Sequence, residues 1–380
     1  IIATFAKNRN EMKVERETAG FALPFTAGVF LAAYSGYCLK SSLSPAPIAA
    51  FAATALSLAG LLHPQRRKST KQWILIALAA LCAGLVCGFT SAHISAGAIT
   101  SELEIWAEGW GMKMQEAIDR IPFEDKRCNA VAKALITGEK SDIPRDIVQT
   151  FRKSGASHIL ALSGLHLGII YSIITRSLSI LGNYQRLWIP RSLIIMTICG
   201  LYTMATGAGP SILRAFLFIA LTEYGKLTHR NHTTGQILFA ALIIQLTISP
   251  MSVKSVGFQL SYAAIAGIAF ILPWMKSLWP GNRYDDHFIA RCTRGIWDTC
   301  AMAISCQITT GPLVWFYFGS LPEYFMLTNL TAVPLTGIII PAIIVTLVLS
   351  AAGICPALLI QITEGMMSGL LGLLENIAAI

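Results

Sequence analysis

From Phe21 to the end, the chain alternates long apolar runs with short polar connections. Many of these runs approach the ~20 residues that a helix needs to cross a bilayer core. The pattern predicts spans at Phe21–Leu39, Pro45–Leu62, Trp73–Ser91, His158–Leu181, Arg191–Thr206, Pro210–Lys226, Thr233–Ser249, Val256–Met275 and Gly295–Phe318. The tail from Phe325 to Ile380 holds two or three more. The expected class is all-α, a polytopic helical membrane protein of about 10–12 spans, several of them short or broken by Gly and Pro.

One stretch departs from that rhythm. Ala92–Ser157 is polar and reads as amphipathic helix, with Trp106, Trp110, Met114 and Ile118 at i, i+4 spacing. Trp106 and Trp110 either float at the membrane interface or pack the helix onto the membrane domain. Cys128–Thr137 forms a second helix that stops at Gly138, and Asp142 precedes a capped start running to Lys153. The predicted organisation has three parts. Residues 1–91 are a basic segment with three spans, 92–157 an extracytoplasmic helical region, and 158–380 a multi-pass membrane domain.

Composition sharpens this reading. Of the 380 residues 54% are hydrophobic and 13% charged, against about 25% charged in soluble domains. Mean hydropathy is +0.60. These values exclude a soluble globular enzyme, a disordered chain and a disulfide scaffold. The nine cysteines form no CxxC pair and read as small buried hydrophobes. A chain that opens on Ile1 and stops inside an apolar run reads as a fragment or a processed chain, with no evident signal peptide.

The net charge of +9 speaks first to topology. With the N-terminus cytoplasmic, 17 Lys and Arg fall in inside loops and helix ends, and only Lys40 and Lys254 in short outside loops. The 92–157 stretch carries nine more against ten acids, and Arg214 is the remaining one. The positive-inside rule therefore favours a cytoplasmic N-terminus. The sequence contains no phosphate-binding GxxxxGK[ST], no HExxH and no HxH, so neither cofactor nor metal is expected. His229 and His232, three apart, belong to a solvated basic loop.

Five polar constellations interrupt the apolar runs. Ser157 to His166 opens a span with His158, Ser163, Gly164 and His166. Ionisable groups in a span are expensive and usually face an interior or a wet path. Three readings follow: a polar pathway, structural hydrogen bonding, or a hydrolase with Ser163 as nucleophile and His166 as base. The second constellation runs from Gly207 to Ala215. Pro210 suits a first helical turn and Arg214 sits about 6 Å deeper. That arginine either snorkels to the interface or offers an anion a fixed positive charge. In the third, Gln259 and Tyr262 line a path or join helices. The fourth, Gln307 to Phe318, places Trp315 and Tyr317 after Pro312. The fifth holds Asn329, Pro334, Gly337 and Pro341, which predict either a broken helix of the kind found at transport sites or packing kinks, and Gly164 is a further broken-helix candidate.

These segments, in this order, resemble the membrane domain of the ComEC family of bacterial competence proteins. The resemblance runs from Lys133-Ala-Leu-Ile-Thr-Gly138 through SHILALSGLH at 157–166, GPSILRA at 209–215 and FQLSYAAIAGI at 258–268 to NLTAVPLTGIIIP at 329–341. It implies an inner-membrane channel that passes single-stranded DNA to the cytoplasm during natural transformation. Implied partners are single-stranded DNA, membrane lipid, an extracytoplasmic DNA receptor, a cytoplasmic motor or single-strand-binding protein, and a second copy. DNA-pathway candidates are His158, Ser163, His166, Arg214, Gln259, Tyr262 and Asn329. The family's OB-fold and metallo-β-lactamase-like domains have no counterpart in this sequence, so no nuclease activity is expected of it. A transporter of a small anion or lipid-linked intermediate, or an intramembrane hydrolase, remains the alternative.

Overall fold

In a computed structural model the described residues are 2–34, 70–90, 99–160, 162–180, 188–228, 232–279, 288–319 and 324–379. All their regular structure is helical. In chain order the helices are α1 (Ile2–Tyr34), α2 (Thr70–Thr90), α3 (Ile99–Asp119), α4 (Lys126–Thr137), α5 (Arg145–Lys153), α6 (Ser157–Leu160), α7 (Gly164–Ser179) and α8 (Trp188–Ala205). They continue with α9 (Pro210–Leu227), α10 (Thr234–Ile248), α11 (Val256–Ala266), α12 (Leu272–Ser277), α13 (Phe288–Phe318), α14 (Phe325–Ala351) and α15 (Ala357–Ala379). A π-helical turn, Gly267–Ile271, links α11 to α12.

Among the described residues four helical stretches are long and apolar enough to cross a membrane: Trp188–Ala205, Val256–Ser277, Phe325–Ala351 and Ala357–Ala379. Shorter apolar helices cover Glu17–Ala33, Ile76–Cys87 and Thr234–Ile248. The expected span Pro45–Leu62 lies outside the described residues. The C-terminal segment forms two long helices, and α14 runs without interruption through Pro334, Gly337 and Pro341. The expected break is therefore absent there. Each proline removes only one backbone donor, which a long apolar helix packed among others tolerates.

The chain divides into two compact units that do not follow the linear order of the sequence. The first joins Ile1–Gly97 to Tyr224–Ala269. Its α1 and α2 lie backbone to backbone. A Cβ on Gly28 would collide with the Leu81 carbonyl oxygen, and one on Gly84 with that of Phe25. Such small-residue contacts let membrane helices gain close packing where no hydrophobic force drives them together. In α10 and α11, Tyr262 donates its hydroxyl to Gln245 Oε1 at 3.0 Å, and Gln259 donates to the Val253 carbonyl at 2.9 Å.

The second unit joins Ala98–Glu223 to Phe270–Ile380. Its main core gathers Val131 and Leu135 of α4, Phe151 of α5 and Ile159 of α6 with Ile339 and Ile343 of α14 and Met367 and Leu374 of α15. The polar stretch from α3 to α6 thus packs into the same core as two span-length helices. A satellite core joins Leu167 of α7, Ile195 and Cys199 of α8, and Ile212 and Ile219 of α9.

The ends of α4 show how this unit satisfies its backbone. Asp125 caps the start by accepting from the Arg127 N–H, and the Glu364 carboxylate of α15 accepts from the backbone N–H groups of Glu124 and Asp125. Gly138 closes the other end at φ 80°, where a Cβ would also stand 3.3 Å from Leu162 Cβ. The Tyr202 hydroxyl of α8 donates to the Ile136 carbonyl at 2.7 Å. On α4, Lys133 is nearly buried and bridges Asp119 Oδ1 at 2.6 Å and Asp142 Oδ2 at 2.7 Å. Burial opposes its charge, but the two acids outweigh it and hold its proton more tightly than usual. Asp142 does not cap α5; Pro144 occupies that position with no side-chain cap.

Candidate functional site

The second unit brings together two of the segments singled out in the sequence. After α5, the left-handed Gly155, at φ 78°, turns the chain into the single turn of α6. There the His158 ring lies with Nδ1 3.2 Å from the Gly155 carbonyl, and the Asn329 side chain lies beside the same ring. One residue earlier on α14, the Thr328 hydroxyl donates to the Ser154 carbonyl. Ser154 and Thr328 are fully buried, whereas His158 stands exposed. The start of the NLTAVP segment is therefore stitched to the turn that begins SHILALSGLH, about 170 residues away in sequence.

SHILALSGLH itself is not one continuous helix. Helix α6 ends at Leu160 and α7 starts at Gly164, with Ser163 as its N-cap in extended conformation. Ser163 Oγ accepts from the Leu165 N–H at 3.3 Å, and the Ser163 N–H donates to His166 Nδ1 at 3.2 Å. This is a capping box in which histidine takes the place usually held by Glu or Gln. Because Nδ1 is the acceptor, the proton of the neutral ring sits on Nε2. His166 is wholly buried, and its Nε2 has no hydrogen-bond partner among the described residues.

That geometry bears on the hydrolase alternative. Ser163 Oγ does lie 3.1 Å from His166 Nδ1. A nucleophile–base pair needs a third group to orient the imidazole through its other nitrogen. Nothing among the described residues does so, and the Ser163–His166 contact is already engaged in closing the start of α7.

Helix α9 begins at Pro210, as the sequence predicts. Arg214 is 1% exposed, so it does not snorkel to the surface; it is enclosed by protein. Glu223, nine residues on, falls about 180° around the helix. It shares the face of Ile212 and Ile219 and accepts from the Tyr171 hydroxyl and the Ser192 hydroxyl, both at 2.7 Å. This buried carboxylate, joining α7, α8 and α9, is not among the pathway candidates read from the sequence. An isolated acid inside an apolar run was its only signal.

His158, Ser163, His166, Arg214 and Asn329 all belong to the second unit, and Gln259 and Tyr262 to the first. Tyr262 is buried with its hydroxyl engaged, whereas Trp315 is exposed on α13. Among the described residues no cluster of three His, Cys, Asp or Glu is placed to hold a metal ion.

A helical membrane protein with polar groups gathered at helix ends in its core is the class these observations define. The Competence protein family model matches residues 135–380, and the chain belongs to that family. It is 30% identical over 133 residues to ComE operon protein 3 of Bacillus subtilis, covering 35% of this chain and 17% of the relative. Over 233 residues it is 27% identical to the uncharacterized protein YcaI of Escherichia coli, covering 59% and 30%. Competence protein ComA of Neisseria gonorrhoeae is 25% identical over 209 residues, covering 53% and 28%. The chain thus spans less than a third of the length of each of these relatives. No solved structure matches.

Proposed function

We propose that this chain forms part of the route by which single-stranded DNA crosses the bacterial cytoplasmic membrane during natural transformation. The N-terminus lies in the cytoplasm in this reading. The observation that carries it is the corner where Ser154 and His158 meet Thr328 and Asn329, inside the part matched by the family model. Polar side chains inside a membrane bundle are costly and collect where a hydrated path runs. Phosphates in such a path need cations, and the enclosed guanidinium of Arg214 is suited to meet them. DNA would arrive from an extracytoplasmic receptor. With no phosphate-binding motif in this sequence, a cytoplasmic motor or single-strand-binding protein would supply the pull.

The test is transformation frequency in a strand-uptake-deficient host carrying the parent chain or its Arg214→Ala variant, at matched protein level. A charge-assisted contact is worth about 1.5–3 kcal/mol, so a loss of about tenfold or more is expected. Rescue by the parent with undiminished frequency in the variant would sink the anion-path role. Failure of the parent, with normal membrane insertion, would count against the sufficiency of this chain.

A further inference from the structure

Helix α3 is buried along one stripe and exposed over the rest of its surface. Gly111, Met114 and Ile118 fall within about 60° of one another around the axis. Ile118 is fully buried, and Met114 packs on the main core of the second unit. Gly111 rests on the end of α8, where a Cβ would stand 2.7 Å from the Ala205 carbonyl oxygen. The rest of the surface carries Ile105, Trp106, Trp110 and Met112, exposed at 68%, 45%, 47% and 59%. The two indoles lie 5.9 Å apart, and the Lys113 ammonium sits 5.1 Å from the Trp110 ring centre.

The contact at Ala205 fixes the depth of this apolar face. Helix α8 has 18 residues and is apolar enough to span. At 1.5 Å per residue it is about 27 Å long, close to the ~30 Å thickness of the hydrocarbon core. A helix of that length that spans the core ends near the edge of the bilayer, and Gly111 of α3 meets the α8 backbone at that end. Paired tryptophans with a neighbouring lysine are the side chains that settle where acyl chains meet headgroups. Lys113 is accompanied by exposed Glu108 and Glu116, so the face carries no excess of positive charge to select anionic lipid.

We infer that α3 is an interfacial anchor whose Trp106–Trp110 face is seated in the phospholipid headgroup–acyl boundary while the adjoining face, about a quarter-turn away, holds the core of the second unit. The inference does not depend on DNA being the cargo. It is tested with the full chain in phosphatidylcholine vesicles, comparing the parent with the double variant Trp106→Phe, Trp110→Phe. The emission lost in the variant belongs to the pair, since the other six of the eight tryptophans are unchanged. Lipid brominated high on the acyl chain is expected to quench more than half of that difference signal, and iodide in the water little of it. Quenching by iodide but not by brominated lipid would overturn the inference and leave the face open to a soluble partner. Protection from both quenchers would also overturn it, in favour of cover by a second copy or another protein segment.

Discussion

The α1–α2 pair of the first unit and the α4–α7 corner of the second solve the same problem by opposite means. Helices α1 and α2 are long, and nearly all their backbone groups bond within the helix. Gly28 and Gly84 bring their backbones into contact. The corner uses helices of 12, 9 and 4 residues before α7. Each helix end leaves about four backbone groups without intrahelical partners. Asp125, Glu364, Tyr202, Ser163 and His166 supply some of the missing partners. Polar side chains thus collect where helices begin and end, and that concentrates chemistry in one corner of an otherwise apolar protein.

The strongest way to break the contrast is to add bulk in the first region. Gly28→Leu or Gly84→Leu forces α1 and α2 apart, because the obstacle is a backbone carbonyl. Thermal unfolding in detergent should show a loss of about 3 kcal/mol, the upper range for overpacking. An unchanged midpoint would mean that the pair is not held by close contact.

A smaller effect is expected from Lys133→Met in the second region. It removes the cation shared by Asp119 and Asp142, and a charged hydrogen bond contributes about 2 kcal/mol. The acids are half exposed, so solvent screening discounts the pair. The smallest signal is in pH. Asp142 is held below its ordinary value of 3.8 by its hydrogen bond to Lys133, and Glu139 below 4.5 by the backbone and side chain of Ser141. Both contribute stability above the unfolded carboxylate range, and it fades as pH falls through their lowered folded values. In Lys133→Met the Asp142 part of that acid dependence should disappear, which a pH series of the unfolding midpoint measures.

Much of the second region was legible before any coordinates. Gly138 stops α4 and Pro210 starts α9, because each rests on local backbone chemistry. The break inside SHILALSGLH is legible in one residue, Gly164, a candidate for a broken helix where the next helix does begin. Leu160 to Gly164 carries no proline, and its apolar pattern is equally compatible with a continuous helix. What holds the corner is non-local, namely Thr328 on Ser154 and Asn329 on His158. In α14 the local signals at Pro334 and Pro341 are compatible with a break or with kinks for packing, and the helix runs on through both. Asp142 misleads because α5 starts two residues further on, at a cap held by Pro144, and its carboxylate pairs with Lys133, nine residues earlier.

In the function proposed above, the His158–Asn329 corner serves DNA passage and not packing alone. The most direct measurement is entry of labelled, nuclease-protected single strands into cells carrying His158→Ala, Asn329→Ala or both, at matched membrane levels and unfolding midpoints. Each single variant is expected to lose most of the uptake and the double variant little more, as two residues acting as one unit do. Parent-level uptake in all three variants would contradict that role.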